Sequence, residues 1–253
     1  MVSDLQKASL WKRISAFLFD FILLCVVAVF FAMVVSWVTG YDNYQRQFNT
    51  ALERISAEYG INLNMSAEEQ ASLSPEQNEQ LENAYAALQK DEAALRAYSM
   101  IQTLTQLILS LGILLACLIM EFLIPLKLKD GRTFGKKLFG LAVMQTNSIK
   151  ISTVSLFIRT FLGKFAIEIM IPVLIIQMVF WGTIGIIAPI ILFLILIVQV
   201  SVMCVTPTNS LIHDLLANTV VVDYLSQMIF DTPEAMIAYK EKAAAEKAQR
   251  EPY

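Results

Sequence analysis

Long apolar runs constrain this chain more than any other feature of its sequence. Residues 16–38 and 100–126, the second interrupted only by Glu121, each approach the ~20 apolar residues that a helix needs to cross a bilayer. Residues 165–205 form an apolar stretch about twice that length, so we expect a hairpin of two helices that turns near residues 182–185. The sequence therefore predicts an all-α membrane protein built on a four-transmembrane-helix bundle.

The composition also indicates a membrane protein. Hydrophobic residues make up 57% of the chain and charged residues 16%, against about 25% charged residues in soluble domains. The first apolar run lacks the small-residue cleavage site of a signal peptide, so we expect it to remain in the membrane. Cys25, Cys117 and Cys204 lie in apolar segments without metal-ligand spacing, and we interpret them as small core residues.

The charges of the connecting segments predict how the chain crosses the membrane. Residues 127–164 contain many basic residues and a single acidic one, Asp130, whereas residues 41–99 are predominantly acidic. Because basic loops stay in the cytoplasm, we place residues 127–164 inside and residues 41–99 outside. Residues 1–40 then contain the cytoplasmic N-terminus and the first span, and residues 206–253 form a cytoplasmic C-terminal tail.

The outer segment, residues 41–99, carries the pattern of two helices. Apolar residues recur at three- and four-residue steps from Tyr41 to Tyr59, where Gly60 ends the pattern. The sequence Ser74-Pro75-Glu76-Gln77 then combines an N-cap serine, a proline at the first helical position and a capping-box glutamine. We expect one helix from here into the membrane and hence an extracytoplasmic antiparallel helical hairpin. It is either a solvated spacer or a surface for a partner or a second copy of the chain.

The basic loop also has local order. Residues 141–144 look like a strand, Asn147 and Ser148 like a turn, and residues 149–151 like a return strand, which together predict a short cytoplasmic β-hairpin. Residues 153–164 alternate apolar side chains with Arg159 and Lys164, which is typical of an interfacial helix at anionic headgroups.

Catalytic and metal-binding motifs are absent from the sequence. It contains no glycine-rich phosphate loop, no HExxH and no GxSxG, and its only histidine is His213. His213 and the adjacent Asp214 fall short of a metal ligand set, and neighbours on a helix point apart. We therefore expect no enzyme, no cofactor, no metal and no nucleic-acid partner, and interpret Asp214 as a charge just beyond the last span.

Charged residues in or beside the spans are the candidate functional residues. A carboxylate in hydrocarbon costs several kcal/mol unless it is paired or hydrated, so Asp20 inside the first span needs an explanation. By its depth, Asp20 is one member of a cluster of charged residues in the cytoplasmic leaflet. The members are Arg13, Asp20, Glu121, Arg159, Glu168 and Asp214. This cluster is either an ion or proton site in a water-filled vestibule or a static network between helices. We favour the static network for Asp20, because the bilayer midplane carries no charge. Arg13 and Asp20 lie too far apart along the helix for an easy bridge, so each is expected to pair with another helix.

Three ordered motifs resemble those of the RDD family of bacterial membrane proteins, which is named for one arginine and two aspartates. The opening motif WKRISAFLFD carries Arg13 and Asp20, and the closing motif LIHDLLANTVVV carries Asp214. Between them, GRTFGKKLFGL resembles the family's Gly-x-Thr-x-Gly-Lys segment. The loop-motif residues are Gly131, Thr133, Gly135, Lys136 and Gly140. Residues 41–99 look like an insertion relative to compact members, and Asn218 stands where a glycine is expected.

This resemblance implies a multi-pass protein of the bacterial inner membrane, for which transport is often suspected. Two functions stay open at this point. The first is transport of a cation, a proton or a small solute, for which four spans would require a homo-oligomer. The second is a non-transporting scaffold or regulator that binds a membrane or secreted protein through the outer helical hairpin.

Overall fold

The apolar runs form helices of membrane-spanning length. Within residues 8–128 and 130–250, which the computed structural model describes, four helical stretches are long and apolar enough to cross a membrane. They are Leu10–Thr39, Glu92–Leu128, Thr153–Phe180 and Ile187–Val205. The prediction of a largely helical chain with four candidate spans is therefore confirmed.

The helices and strands follow one another along the chain with short connections. They are α1 (Leu10–Thr39), α2 (Tyr41–Tyr59), α3 (Ala67–Ala71), α4 (Pro75–Leu88), α5 (Glu92–Cys117), α6 (Ile124–Leu128), α7 (Phe134–Leu138), β1 (Leu141–Gln145), α8 (Thr153–Phe157), α9 (Ile171–Phe180), α10 (Ile187–Val205), α11 (Ile212–Leu216), β2 (Thr219–Asp223) and α12 (Pro233–Arg250). Two π-helical segments, Leu118–Leu123 and Ile158–Met170, join α5 to α6 and α8 to α9. The chain divides into a first unit, residues up to Ala28 and from Ile113 onward, and a second unit, Val29–Gly112.

The second unit contains a helical hairpin with its own core. Helices α2 and α4 pack together around the buried residues Leu52, Ile55 and Leu81. The N-terminus of α4 has the predicted capping box: the Ser74 hydroxyl accepts from the Gln77 amide, and the Gln77 side chain accepts from the Ser74 amide. A helix therefore begins at each of the two predicted positions, Tyr41 and Pro75. The extracytoplasmic location of this unit stays a prediction.

The expected single helix from Pro75 into the second span is interrupted. Helix α4 ends at Leu88 and α5 begins at Glu92. Asp91 restarts the helix, because its carboxylate accepts a hydrogen bond from the Ala94 amide at 2.9 Å and so satisfies one of the free amides of the first turn. That bond and the ion pair with Arg54 hold the pKa of Asp91 below its ordinary value.

The predicted β-hairpin within residues 141–151 forms only one antiparallel bridge, between Met144 and Lys150, and the strand paired along β1 is a different one. Strand β1 pairs antiparallel with β2, so that Leu141 lies opposite Asp223. Residues 149–150 make only isolated bridges, to Phe230 and Met144. The reason is burial: the three consecutive valines of β2 lie beside β1 and extend the apolar clusters on both faces of the sheet, whereas residues 149–151 would place a lysine in the middle of the strand.

The third helical stretch is continuous from Thr153 to Phe180. No break separates the predicted interfacial helix, residues 153–164, from the span that follows, and its position at a membrane interface stays a prediction. Helix α9 ends at Phe180 and α10 begins at Ile187, so the chain turns back within residues 181–186, where Gly182 has a φ of +68°.

One apolar core of the first unit lies between α1, α5 and the π-helical segment after α5, where Leu24 packs against Ala116, Cys117 and Met120. The expectation that all three cysteines are core residues holds for Cys117 alone. Cys25 and Cys204 are exposed, because they lie on the outer faces of α1 and α10.

Candidate functional site

A cavity of about 420 Å³ lies within the first unit. Apolar side chains of α1 form one wall, and Gln199 and Met203 of α10 contribute to another. Five of the six residues predicted as a polar cluster line this cavity, all but Asp214, together with Lys136, Lys164 and His213. The charged residues therefore surround open space within the fold.

Asp20 is bound by the loop motif. Its carboxylate accepts hydrogen bonds from the Thr133 hydroxyl and, at 2.7 Å, from the Gly135 amide. The ammonium of Lys136 lies 3.8 Å from the same carboxylate. Asp20 is only 6% exposed. The groups at the start of α7 balance its charge and complete its hydrogen bonds. The opening motif and the loop motif thus form one contact.

Gly135 makes this contact possible through its missing side chain. A Cβ atom at this position would lie 2.4 Å from the Ala16 carbonyl oxygen and 2.8 Å from the Asp20 carboxyl carbon. Two other glycines of the loop motif, Gly131 and Gly140, adopt left-handed backbone conformations with φ of +66° and +67° on either side of α7. The loop motif is therefore a backbone arrangement that lets α7 approach α1.

Asp214 is bound by two arginines. It is fully buried and forms an ion pair with Arg159, while an Arg13 guanidinium nitrogen lies 3.6 Å away. Burial alone would raise the pKa of Asp214, but the positive charges of Arg159 and Arg13 hold it well below its ordinary range. Arg159 also donates a hydrogen bond of 2.7 Å to the Thr219 hydroxyl. The closing motif is thus anchored to Arg159 and the opening motif.

The contacts of His213 define its protonation. Its Nε2 lies 3.1 Å from a guanidinium nitrogen of Arg159, which can only donate, so Nε2 accepts and the proton resides on Nδ1. Nδ1 then donates to Glu168, whose two carboxylate oxygens both lie at 2.8 Å. Burial, reinforced by the charge of Arg159 and opposed by Asp214 and Glu168, lowers the pKa of His213. The imidazole is therefore neutral and oriented.

These contacts correct the expectation that the side chains of His213 and Asp214 point apart as neighbours on a helix. Both bind Arg159, because a planar guanidinium offers donors on two nitrogens and can reach two neighbouring side chains. His213 was overlooked as a member of the cluster, although its place beside Asp214 in the closing motif was the signal that could have identified it.

The two π-helical segments meet through a second ion pair. The Lys164 ammonium lies 2.5 Å from a Glu121 carboxylate oxygen, and the Thr160 hydroxyl donates to the Glu121 carbonyl at 2.9 Å. Glu121, Arg159, Lys164 and Glu168 all lie on π-helical turns, which occur frequently at functional sites. The sequence pattern gave no signal of these turns.

The predicted cluster thus forms four contacts around one cavity. Asp20 pairs with the loop motif, Asp214 with two arginines, Glu121 with Lys164, and Glu168 with His213. With His213 neutral, four basic side chains balance four acidic ones, which are Arg13, Lys136, Arg159 and Lys164 against Asp20, Glu121, Glu168 and Asp214. Across residues 8–128 and 130–250, no group of three or more His, Cys, Asp or Glu side chains is placed to hold a metal ion.

Comparison with known proteins agrees with the motif positions. The model of the RDD family matches residues 7–218, which contain the whole opening and loop motifs and the closing motif through Asn218. Comparisons with curated proteins and with solved structures give no significant match.

Proposed function

The chain belongs to the RDD family, and we propose that it transports a cation, a proton or a small solute across the membrane, with the charged cavity as its binding site. Charged side chains that border about 420 Å³ of open space, instead of filling it, support this proposal. A network that only joins helices gains from close packing, whereas small-ligand sites are concave, mostly apolar and contain a few convergent polar groups.

The contacts suggest a division of roles among the acidic residues. Asp20 and Asp214 are saturated by the loop motif and by two arginines, and we assign them to holding the structure. Glu168 and His213 line the cavity and share one hydrogen, so we assign them to release a proton when a cation or solute binds and to take one up when it leaves. Because four spans are few for a pathway within one chain, we propose a homo-oligomer as the transporting form.

Flux into sealed vesicles tests this proposal. Purified protein is reconstituted, and the uptake of cations and the accompanying proton movement are followed with a pH-sensitive dye. We expect wild-type flux, its loss in Glu168→Gln, and its retention in Glu234→Gln, the same substitution at an exposed residue of α12. No flux of protons, cations or small solutes by the wild type, or full flux by Glu168→Gln, would contradict the assigned role. Unchanged flux in folded Asp20→Asn protein would agree with the structural role that we assign to Asp20.

A scaffold is the second candidate function, and the independent core of the second unit favours it. A solvated spacer does not need buried residues such as Leu52, Ile55 and Leu81. Side chains that could contact a membrane or secreted protein remain exposed, among them Tyr85 and Leu95. Deletion of residues 41–99 separates the two functions: a scaffold loses its partner, whereas a pathway confined to the first unit keeps its flux.

We also propose a location in the bacterial inner membrane, with both termini in the cytoplasm and residues 41–99 outside. The basic character of residues 127–164 supports this orientation. Fusion of an enzyme that is active only in the periplasm checks it: we expect no activity after residue 250 and full activity when it is inserted at Gly60.

A further inference from the structure

Two polar groups at the cavity lack hydrogen-bond partners that their chemistry calls for. The buried ammonium of Lys136 has three donors, yet within the described part of the chain it makes one hydrogen bond, to Thr133 at 3.1 Å. On the α10 side, the Gln199 Oε1 atom is buried, and no described residue bonds to it. Since buried polar groups are nearly always hydrogen-bonded, both groups point to a ligand.

Lys136 is the least compensated cation at the cavity. Lys164 has a carboxylate oxygen of Glu121 at 2.5 Å, and Arg159 is paired with Asp214, whereas the carboxylate nearest to Lys136 lies 3.8 Å away. Burial and the charge of Lys164 lower the pKa of Lys136 to about 8, so it is still largely protonated at neutral pH. A negatively charged group beside Lys136 would complete its hydrogen bonds.

The remaining walls of the cavity are apolar and partly open. Leu10, Ile14, Phe17 and Phe21 follow one face of α1 at steps of three and four residues and all line the cavity. Phe17 and Phe21 are nevertheless 59% and 49% exposed, so the cavity opens along this face. A cavity that is charged at one end and apolar and open along its side fits a molecule with an ionic head and an apolar tail better than it fits a free ion.

We propose that the cavity binds an anionic amphiphile of the bilayer. Its phosphate or carboxylate lies at Lys136, a hydroxyl or amine of its headgroup donates to Gln199, and its tail lies along Phe17 and Phe21. This inference deepens the proposed function by naming the class of the transported solute. It rests on the proposed function only for the transport step. Binding itself does not require transport, so the two statements can fail separately.

Lipid-dependent thermal stability of the full-length protein tests this binding. The protein is purified in a neutral detergent and heated with phosphatidylglycerol, with phosphatidylcholine or with inorganic phosphate, and apparent affinities are taken from the shift in Tm. We expect stabilisation by phosphatidylglycerol and little by the other two. Lys136→Gln should weaken this affinity about tenfold to a hundredfold, because it removes a hydrogen bond to a charged group. Lys137→Gln is the matched control, since this neighbouring lysine is exposed and outside the cavity.

A second pair of variants keeps the test decisive where Lys136→Gln does not fold. Gln199→Leu should weaken the affinity for phosphatidylglycerol about threefold to tenfold, and Gln177→Leu, which lies outside the cavity, should leave it unchanged. Equal stabilisation by phosphatidylcholine, equal binding by inorganic phosphate, or equal losses in the cavity and control variants would each overturn the inference. Binding without flux would remove the proposed transport and leave the amphiphile site standing, whereas flux without this binding would overturn the amphiphile site alone.

Discussion

Replacing Gly135 with alanine tests whether Asp20 joins α1 to the loop motif. The new Cβ would lie 2.4 Å from the Ala16 carbonyl oxygen and 2.8 Å from the Asp20 carboxyl carbon, so α7 and α1 must separate. Overpacking of this kind costs about 1–3 kcal/mol, and weakening the 2.7 Å bond between the Gly135 amide and Asp20 costs about 1.5–3 kcal/mol. We expect a total destabilisation of roughly 2.5–6 kcal/mol.

Thermal unfolding of the purified protein in detergent measures this effect. One kcal/mol moves Tm by roughly 2–4 °C in a domain of comparable size, so Gly135→Ala should lower Tm by at least about 5 °C. Gly185→Ala is the matched control, because a Cβ there meets nothing within 4 Å. If the Tm of Gly135→Ala equals that of Gly185→Ala, the close approach does not hold these elements together and the structural role of Asp20 is refuted.

Three further predictions concern the closing motif and the hairpin. Arg159→Met leaves Asp214 buried without its main partner and should cost about 3–5 kcal/mol, seen as loss of monodisperse protein, whereas Lys137→Met should not. Because burial lowers the pKa of His213 from 6.5, the unfolded chain binds a proton that the folded protein does not; Tm should therefore fall as the pH drops from 6.5 to about 5, and His213→Asn should flatten this fall. Ser74→Ala removes half of a capping box and should destabilise α4 by about 1 kcal/mol, which faster hydrogen exchange of its first-turn amides would show; unchanged exchange would contradict the cap.

The elements that the sequence predicted depend on local patterns. The apolar runs determine helix length directly, and Ser74 and Gln77 lie three residues apart, so both could be recognised without knowledge of the fold. The strand partner of β1 depends instead on which distant segment can continue the apolar clusters on both faces of the sheet. Residues 149–151 are close in sequence, but the three valines of β2 together belong to both clusters.

The partners within the candidate site were beyond prediction for the same reason. Thr133 lies 113 residues from Asp20, and nothing in either segment specifies the other as its partner. Depth in the membrane placed Asp20, Glu121 and Glu168 at one level, but it could not show that Asp20 binds a loop rather than a helix. His213 was misjudged because adjacent residues of a long helix diverge, whereas here both contact a single guanidinium from another segment.

The π-helical segment Ile158–Met170 has a consequence for how this chain tolerates change. Each residue of an α-helix turns the following side chains by about 100°, and π-helical turns close their hydrogen bonds one residue later. The orientation of Arg159, Lys164 and Glu168 relative to the exposed apolar residues of α9 is therefore set by how many residues the segment contains. Deleting a single residue here would rotate α9 by about a quarter turn relative to the charged residues that precede the deletion, although no charged residue had been altered. Insertions and deletions within this segment should consequently be far more damaging than substitutions of its apolar side chains.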